Sequence, residues 1–237
     1  MYSKEFGEIK VTLSKRSRHI RLTIRPFRGL EVSAPKHATH RDIERVVNEK
    51  SDWIRQQLLK TEAVQKGRTV FRPGTNFETK YHRLVLEPCT TDKASSRIKD
   101  GLIKVRYSEN VDVKDELIQK EIRRAVEKAL KIEAVDYITH RVRGLASKHN
   151  FKYRAVAFKN ARTRWGSCSS KNNLNFNIHI MRLPNDLIDY VILHELAHTV
   201  IKNHSHKFWS LLSGLLSSNK PSKVVDKELN KFKIGVW

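Results

Sequence analysis

The segment "NDLIDYVILHELAHTVIKNHSH", residues 185–206, constrains this chain more than any other stretch. Leu187, Val191, His194, His198 and Ile201 recur at helical spacing, so they share one stripe of an amphipathic helix that starts after Pro184. Asn185 is a reasonable N-cap, and acids stand in the first turns. His194 and His198 are one turn apart on one face, where two imidazoles can grip one ion. Val191, Ile192, Leu193, Leu196 and Ala197 supply an apolar setting that buries them, which argues against a surface helix that merely carries two histidines. Glu195 lies roughly 100° round the helix from His194, too far for a comfortable third ligand but near enough to reach a water on the ion. Such an H-E-x-x-H pattern holds zinc through two neutral nitrogens, with the carboxylate as general base for a metal-activated water.

Two histidines alone make a weak site. His204 is six residues after His198, about 240° round a continuing helix, so the helix is expected to end near Lys202–Asn203. Asn203 suits that stop because Asn tolerates the left-handed conformation. Ser205 can then cap a second helix, "HKFWSLLSGLL", with Phe208, Leu211, Leu212 and Leu215 on its apolar face. His206 falls in the first turn of that helix, on the side of Ser210 and Ser213. His204, in the reversal itself, is expected to be the third ligand, ahead of His206 and of the remote acid Glu228.

The rest of the chain reads as an α+β protein in two halves. Residues 1–110 are β-rich with one helix: "HIRLTIR" alternates, Ile20, Leu22 and Ile24 against His19, Arg21, Thr23 and Arg25, and pairs with "GLEVSAP". A helix over about 39–59 follows, with Thr39 as N-cap. Further strands are expected around Thr69–Phe71, His82–Leu86 and Leu102–Tyr107, with "TTDKASS" as a turn-rich connection. Residues 111–237 are helix-rich, led by a long helix from about Val113 to His149 in which Gly144 is a candidate interruption. At 237 residues the chain has room for a substantial core, and two distant cysteines, Cys89 and Cys168, argue against a disulfide scaffold. No apolar run reaches a membrane span and the N-terminus lacks a secretory pattern, so a cytoplasmic protein is expected.

Arg164–Ser170 ("RWGSCSS"), "DYVILHELAH" and Asn203–Trp209 ("NHSHKFW") resemble, in order and spacing, the YgjP-like metallopeptidases, relatives of the SprT/Spartan-type zinc proteases. The arginine-rich strand near Arg16–Arg25, "VSAPK" and the helix with "DWI" extend the resemblance over most of the chain. It implies a zincin-like, minigluzincin-type helical catalytic domain with a small antiparallel sheet. It also implies one Zn2+ per chain on His194, His198 and His204, with Glu195 as catalytic base. The metzincins share the H-E-x-x-H-x5-H spacing but carry glycine where this chain has Ile201.

Other residues near the motif are harder to place. Gly166 and the serines of "RTRWGSCSS" suggest a tight turn, Trp165 a packing residue, and Cys168 an inert thiol. "NLNFNIHI" alternates Leu174, Phe176, Ile178 and Ile180 against Asn175, Asn177 and His179. Zincins line the cleft with the strand before the active-site helix, so the resemblance turns those polar side chains toward the cleft or solvent. Tyr190, Arg164 and His206 are candidates to stabilise the transition state. Three functions fit: a zinc peptidase acting on protein or peptide, a zinc hydrolase of another amide or ester, and a nucleic-acid-binding protein with structural zinc. Glu195 weighs against the last, since a structural site needs no base. Between residues 137 and 225 there are fourteen Lys or Arg and only Asp186, Asp189 and Glu195 as acids, within a net charge of +22. That field favours DNA or another nucleic acid as a partner, through this basic half, against the plainer role of keeping the surface soluble.

Overall fold

The computed structural model describes residues 1–25, 29–66, 69–216 and 220–234. The chain forms two compact units, Met1–Thr69 and a second beginning at Val70. The expected boundary near residue 110 therefore moves to residue 69. Two of the strands between the two positions, Ser95–Lys99 and Leu102–Ser108, pack on the long helix Glu116–Lys148 of the second unit.

The first unit is built on a three-stranded sheet. Strand β5 (Gly29–Pro35) is central, with β4 (Arg21–Arg25) antiparallel on one side and β3 (Lys10–Ser14) parallel on the other. Leu22 opposes Val32 and Ile24 opposes Leu30, the pairing that the alternation of "HIRLTIR" predicts. Strand β3 alternates too, Val11 and Leu13 against Lys10, Thr12 and Ser14, but lies outside the strands expected from the sequence. A short pair, β1 (Tyr2–Ser3) and β2 (Gly7–Glu8), precedes it. Ile9, Leu30, Val32, Ala34, Ile43, Val47 and Ile54 form the core, flanked by Ile20, Leu22 and Ile24. Thr39 caps α1 (His40–Glu49) in a full capping box, its hydroxyl accepting from the Asp42 backbone while the Asp42 carboxylate accepts from the Thr39 backbone. The expected single helix breaks at Lys50, where ψ rises to 15°, and resumes as α2 (Ser51–Lys66).

The second unit carries two small sheets on one long helix. Strands β6 (Arg83–Cys89), β7 (Ser95–Lys99) and β8 (Leu102–Ser108) make the first, in the order β6-β8-β7. Strand β7 replaces the expected loop. It forms a hairpin with β8 through Asp100 (φ 50°) and Gly101 (φ 71°), left-handed positions that Asp and Gly adopt most easily. No strand forms at Thr69–Phe71. Phe71 is instead buried, and the Gln119 side chain hydrogen-bonds both its N–H and its carbonyl. Helix α3 (Glu116–Lys148) runs unbroken through Gly144.

The second sheet, in the order β10-β11-β9, positions the candidate site. Central β11 (Asn173–Asn177) pairs antiparallel with β10 (Gly166–Cys168) and parallel with β9 (Ala155–Lys159). A 3-10 turn, Ile178–Arg182, leads to helix α4 (Asn185–Ala197), then α5 (His206–Leu215) and α6 (Ser222–Leu229). The α+β class with small sheets is as the sequence predicts, with a catalytic-half sheet that is mixed. Helix α4 is more enclosed than an amphipathic helix: Leu187, Ile188, Tyr190, Val191, Ile192, Leu193, Leu196 and Ala197 are all buried. Among the described residues no helix is long and apolar enough to cross a membrane.

Candidate metal centre

Helix α4 brings His194 and His198 to one face, and the chain then reverses. Pro184 occupies the N-cap position, so Asn185 is the first helical residue, its side-chain oxygen accepting from Lys80 Nζ at 2.7 Å. The reversal starts earlier than spacing suggests. The helix closes at Ala197, with Thr199, Val200 and Ile201 bonding back to Leu196 and Ala197 carbonyls, and Asn203 is not in the left-handed region. Ending one turn sooner lets His204 swing back over the helix end. Ser205 occupies the N-cap of α5 but makes no side-chain cap bond.

The ring nitrogens of His194, His198 and His204 converge. Their Nε2 atoms stand 3.2 Å (194–198), 3.2 Å (198–204) and 3.1 Å (194–204) apart. Two nitrogens about 2.0–2.1 Å from one tetrahedral ion stand roughly 3.3 Å apart, so the triangle fits a divalent cation. It is the one cluster of His, Cys, Asp and Glu among the described residues with that potential. His198 Nδ1 lies 2.9 Å from the Ile201 carbonyl, which can only accept, so that bond places the proton on Nδ1 and leaves Nε2 as a lone-pair donor. Burial pushes His194 down to about 3 and lowers His198 also, with neighbouring His204 adding to both shifts. Both rings are thus neutral at physiological pH, the form that ligates.

Phe208 holds the three rings together. It is 0% exposed, stacks on His198 (ring centroids 4.4 Å, 23°), and meets His194 and His204 edge-on at 4.9 and 4.8 Å. Trp209 adds a ring 5.7 Å from His204. From sequence Phe208 reads only as an apolar residue of α5. The available signal was its place four residues after His204.

Glu195 is 6% exposed, and burial pushes its carboxyl up to about 8 despite the opposing charge of Arg164. Its Oε2 is buried with no hydrogen-bond partner in the protein. The strand beside it is the residue that sequence reasoning placed in a tight turn: Gly166 opens β10. A Cβ built on Gly166 would lie 2.6 Å from Glu195 Oε1 and 2.7 Å from its Cγ. Glycine is there because only a hydrogen fits against the carboxylate.

Two further assignments change. Strand β11 is central, with both edges paired, so it cannot receive an extended substrate; Asn175 is half-buried on it. Asn177 and His179 do not face solvent, being 2% exposed each. The Asn177 side chain donates to the carbonyls of Ala161 and Arg164 at 2.7 and 2.9 Å and accepts from His179 N–H, pinning the loop that enters β10. His179 lies 3.2 Å from Asn160 Oδ1, and burial pushes it down to about 4. Of the other candidates, Tyr190 is buried and its hydroxyl donates to Asp226 at 3.2 Å. His206 is exposed, 3.4 Å from Ser210 Oγ and outside the triangle. Glu228 is half-buried and paired to Lys220 at 2.8 Å. Arg164 is exposed and lines a cavity of about 320 Å³ together with Gly166, Asn175 and Asn177. Cys168 is half-buried, its thiol pushed up by burial, so it stays protonated.

This histidine cluster on an α+β scaffold is that of a metal-dependent peptidase. The profile of the YgjP-like family, metallopeptidase domain, matches residues 18–231, and the chain belongs to that family. Membership implies a divalent metal, usually zinc. Parts of the chain are similar to two metallopeptidase zymogens of known structure. These are jannalysin of Methanocaldococcus jannaschii (25% identity) and abylysin of Pyrococcus abyssi (16%), each with a TM-score of 0.35 over 40% of this chain and 94% of the other. No curated protein matches.

Proposed function

We propose that the protein is a zinc peptidase in which His194, His198 and His204 hold one zinc ion and Glu195 is the catalytic base. The observation that carries this reading is the near-equilateral triangle of Nε2 atoms, built from the helix that also presents a buried, partnerless carboxylate. When bound, zinc polarises the scissile carbonyl and makes water a stronger acid. Glu195 accepts a proton from the attacking water and returns it to the departing amine nitrogen. A cation beside it lowers its affinity for protons toward neutrality, where both transfers are easy. Strand β10 pairs with β11 alone among the described strands, so its other edge is offered to an extended peptide, which would lie across Gly166 beside Glu195. Arg164, close enough to lower the Glu195 pKa, is the best placed of the sequence candidates to meet developing negative charge; Tyr190 is committed to Asp226. The test is Glu195→Gln in the zinc-loaded protein. Zinc content stays near one per chain, while hydrolysis of an unfolded protein substrate falls by about a thousandfold or more. Activity surviving that change overturns the mechanism.

A further inference from the structure

The first unit carries a second site, independent of the peptidase reading. A cavity of about 740 Å³ is lined by Arg16, Arg18, His19, Arg21, Lys50 and Trp53 among others, with no acid among the lining residues. Residues 15–25, "KRSRHIRLTIR", hold five Lys or Arg and no Asp or Glu, and three of them, Arg16, Arg18 and Arg21, line the cavity where β3 passes into β4. Among the described residues none of Arg16, Arg18, Arg21 or Lys50 has a carboxylate within ion-pair distance. Nearby Asp52 is instead engaged by Arg55 at 2.6 Å. Converging cations without counter-charges raise the local potential and hold an anion more strongly than scattered ones do.

The cavity also has an aromatic wall. Trp53 is 42% exposed, whereas Ile54 beside it is fully buried in the core of the unit. The indole thus presents a large apolar face to a cationic groove. Guanidiniums and an ammonium beside an open indole suit a chain of phosphates carrying flat bases, and a base in a duplex has no free face to stack. An acidic peptide would use the charges and leave the indole idle. In the second unit, by contrast, several cations of the 137–225 segment are already engaged: Arg141 with Asp189, Lys220 with Glu228, and Lys202 with the Ser169 carbonyl and Asn172. We propose that the groove lined by Arg16, Arg18, Arg21, Lys50 and Trp53 binds single-stranded nucleic acid, its phosphates on the cations and a base on the indole.

The test uses the full-length protein and a fluorescein-labelled dT 15-mer, followed by anisotropy between 50 and 200 mM salt. Four phosphate contacts predict a log–log salt slope of roughly −3, and Arg18→Ala/Arg21→Ala/Lys50→Ala should reduce its magnitude by about 2. A charge-matched control, Lys120→Ala/Lys128→Ala/Lys131→Ala on the exposed face of α3, should leave the slope within about 0.5 of wild type. Trp53→Ala should weaken binding about tenfold or more, and Trp53→Phe only about threefold. Tryptophan quenching by the oligonucleotide should disappear in Trp53→Phe. Melting temperature and zinc content report that each variant is folded. Equal weakening in the control triple overturns the proposal, as does equal affinity for a duplex of the same length. Equally tight binding of polyglutamate would make the groove an acidic-peptide site and overturns it too. Glu195→Gln should bind the oligonucleotide with unchanged affinity, so failure of the peptidase reading leaves this one standing.

Discussion

Gly166→Ala tests the contact on which the proposed catalytic geometry depends. The added methyl would meet Glu195 Oε1, Cγ and Cδ at 2.6, 2.7 and 2.9 Å. Carbon atoms pack at roughly 3.5–4.0 Å, so either β10 or the Glu195 side chain must retreat by about 1 Å. Strand β10 is held by three residues of antiparallel pairing to β11, and its entering loop by Asn177, whereas Glu195 is one side chain with three torsions. Glu195 is the part that moves. A displacement of that size at a catalytic group costs on the order of a hundredfold, or about 2.7 kcal/mol of transition-state stabilisation. The three atoms nearest the added methyl all belong to Glu195, so the histidines should keep their zinc. The assay is kcat/KM on an unfolded protein substrate with zinc measured on the same sample. Gly144→Ala is the matched control: its Cβ meets nothing within 4 Å in mid-α3, so it should leave activity unchanged and add up to about 1 kcal/mol of stability. A zinc-loaded Gly166→Ala enzyme within threefold of wild type refutes the argument that this glycine sets the Glu195 position.

Three other outcomes follow from the geometry. His204→Ala should strip the zinc on dialysis while His206→Ala retains it, and metal content after gel filtration decides; the reverse would exchange their roles. Phe208→Ala removes the ring against all three histidines and should cost about 3–5 kcal/mol of stability together with at least a tenfold loss of zinc affinity, read by urea titration and chelator competition. His179 should contribute to acid sensitivity. Its folded pKa, about 4, lies below the 6.5 of the unfolded chain, so the unfolded state takes up the proton first as pH falls. Its contribution is intact above about pH 6.5 and is lost progressively down to about pH 4, a change of roughly 3 kcal/mol. Urea midpoints for wild type and His179→Gln should therefore converge by that amount between pH 7 and pH 4, and a pH-independent gap would refute the assignment.

Local features were legible in the sequence because each is set by neighbours a few residues away. The capping box at Thr39, the β4–β5 alternation, and the shared face of His194 and His198 all follow from side-chain periodicity. The hairpin partner of β8, strand β7, lies outside the expected strands, although Asp100-Gly101 is a strong turn signal between two alternating segments. The end of α4 was not legible. The Thr199 hydroxyl donates to the Leu196 carbonyl within the turn, a local competition with the helix that periodicity does not register.

The site itself divides along the same line. One part is the segment from His194 to Phe208, where the proposed ligands, the proposed base and the aromatic support are close in sequence and the histidine spacing alone suggests metal. The other is the segment from Arg164 to Asn177, whose side chains read as a polar turn and strand. Its role comes from where β10 lies against α4, about thirty residues away in sequence. Alternation along a strand says which residues share a face, but it cannot say whether the strand is central or at an edge. Nor does it show that Asn177 and His179 are buried, or that Gly166 lies against Glu195. A glycine has no side chain to announce such a contact. The contact appears only when the opposing carboxylate is in place, so the proposed base was readable from sequence and the surface against it was not.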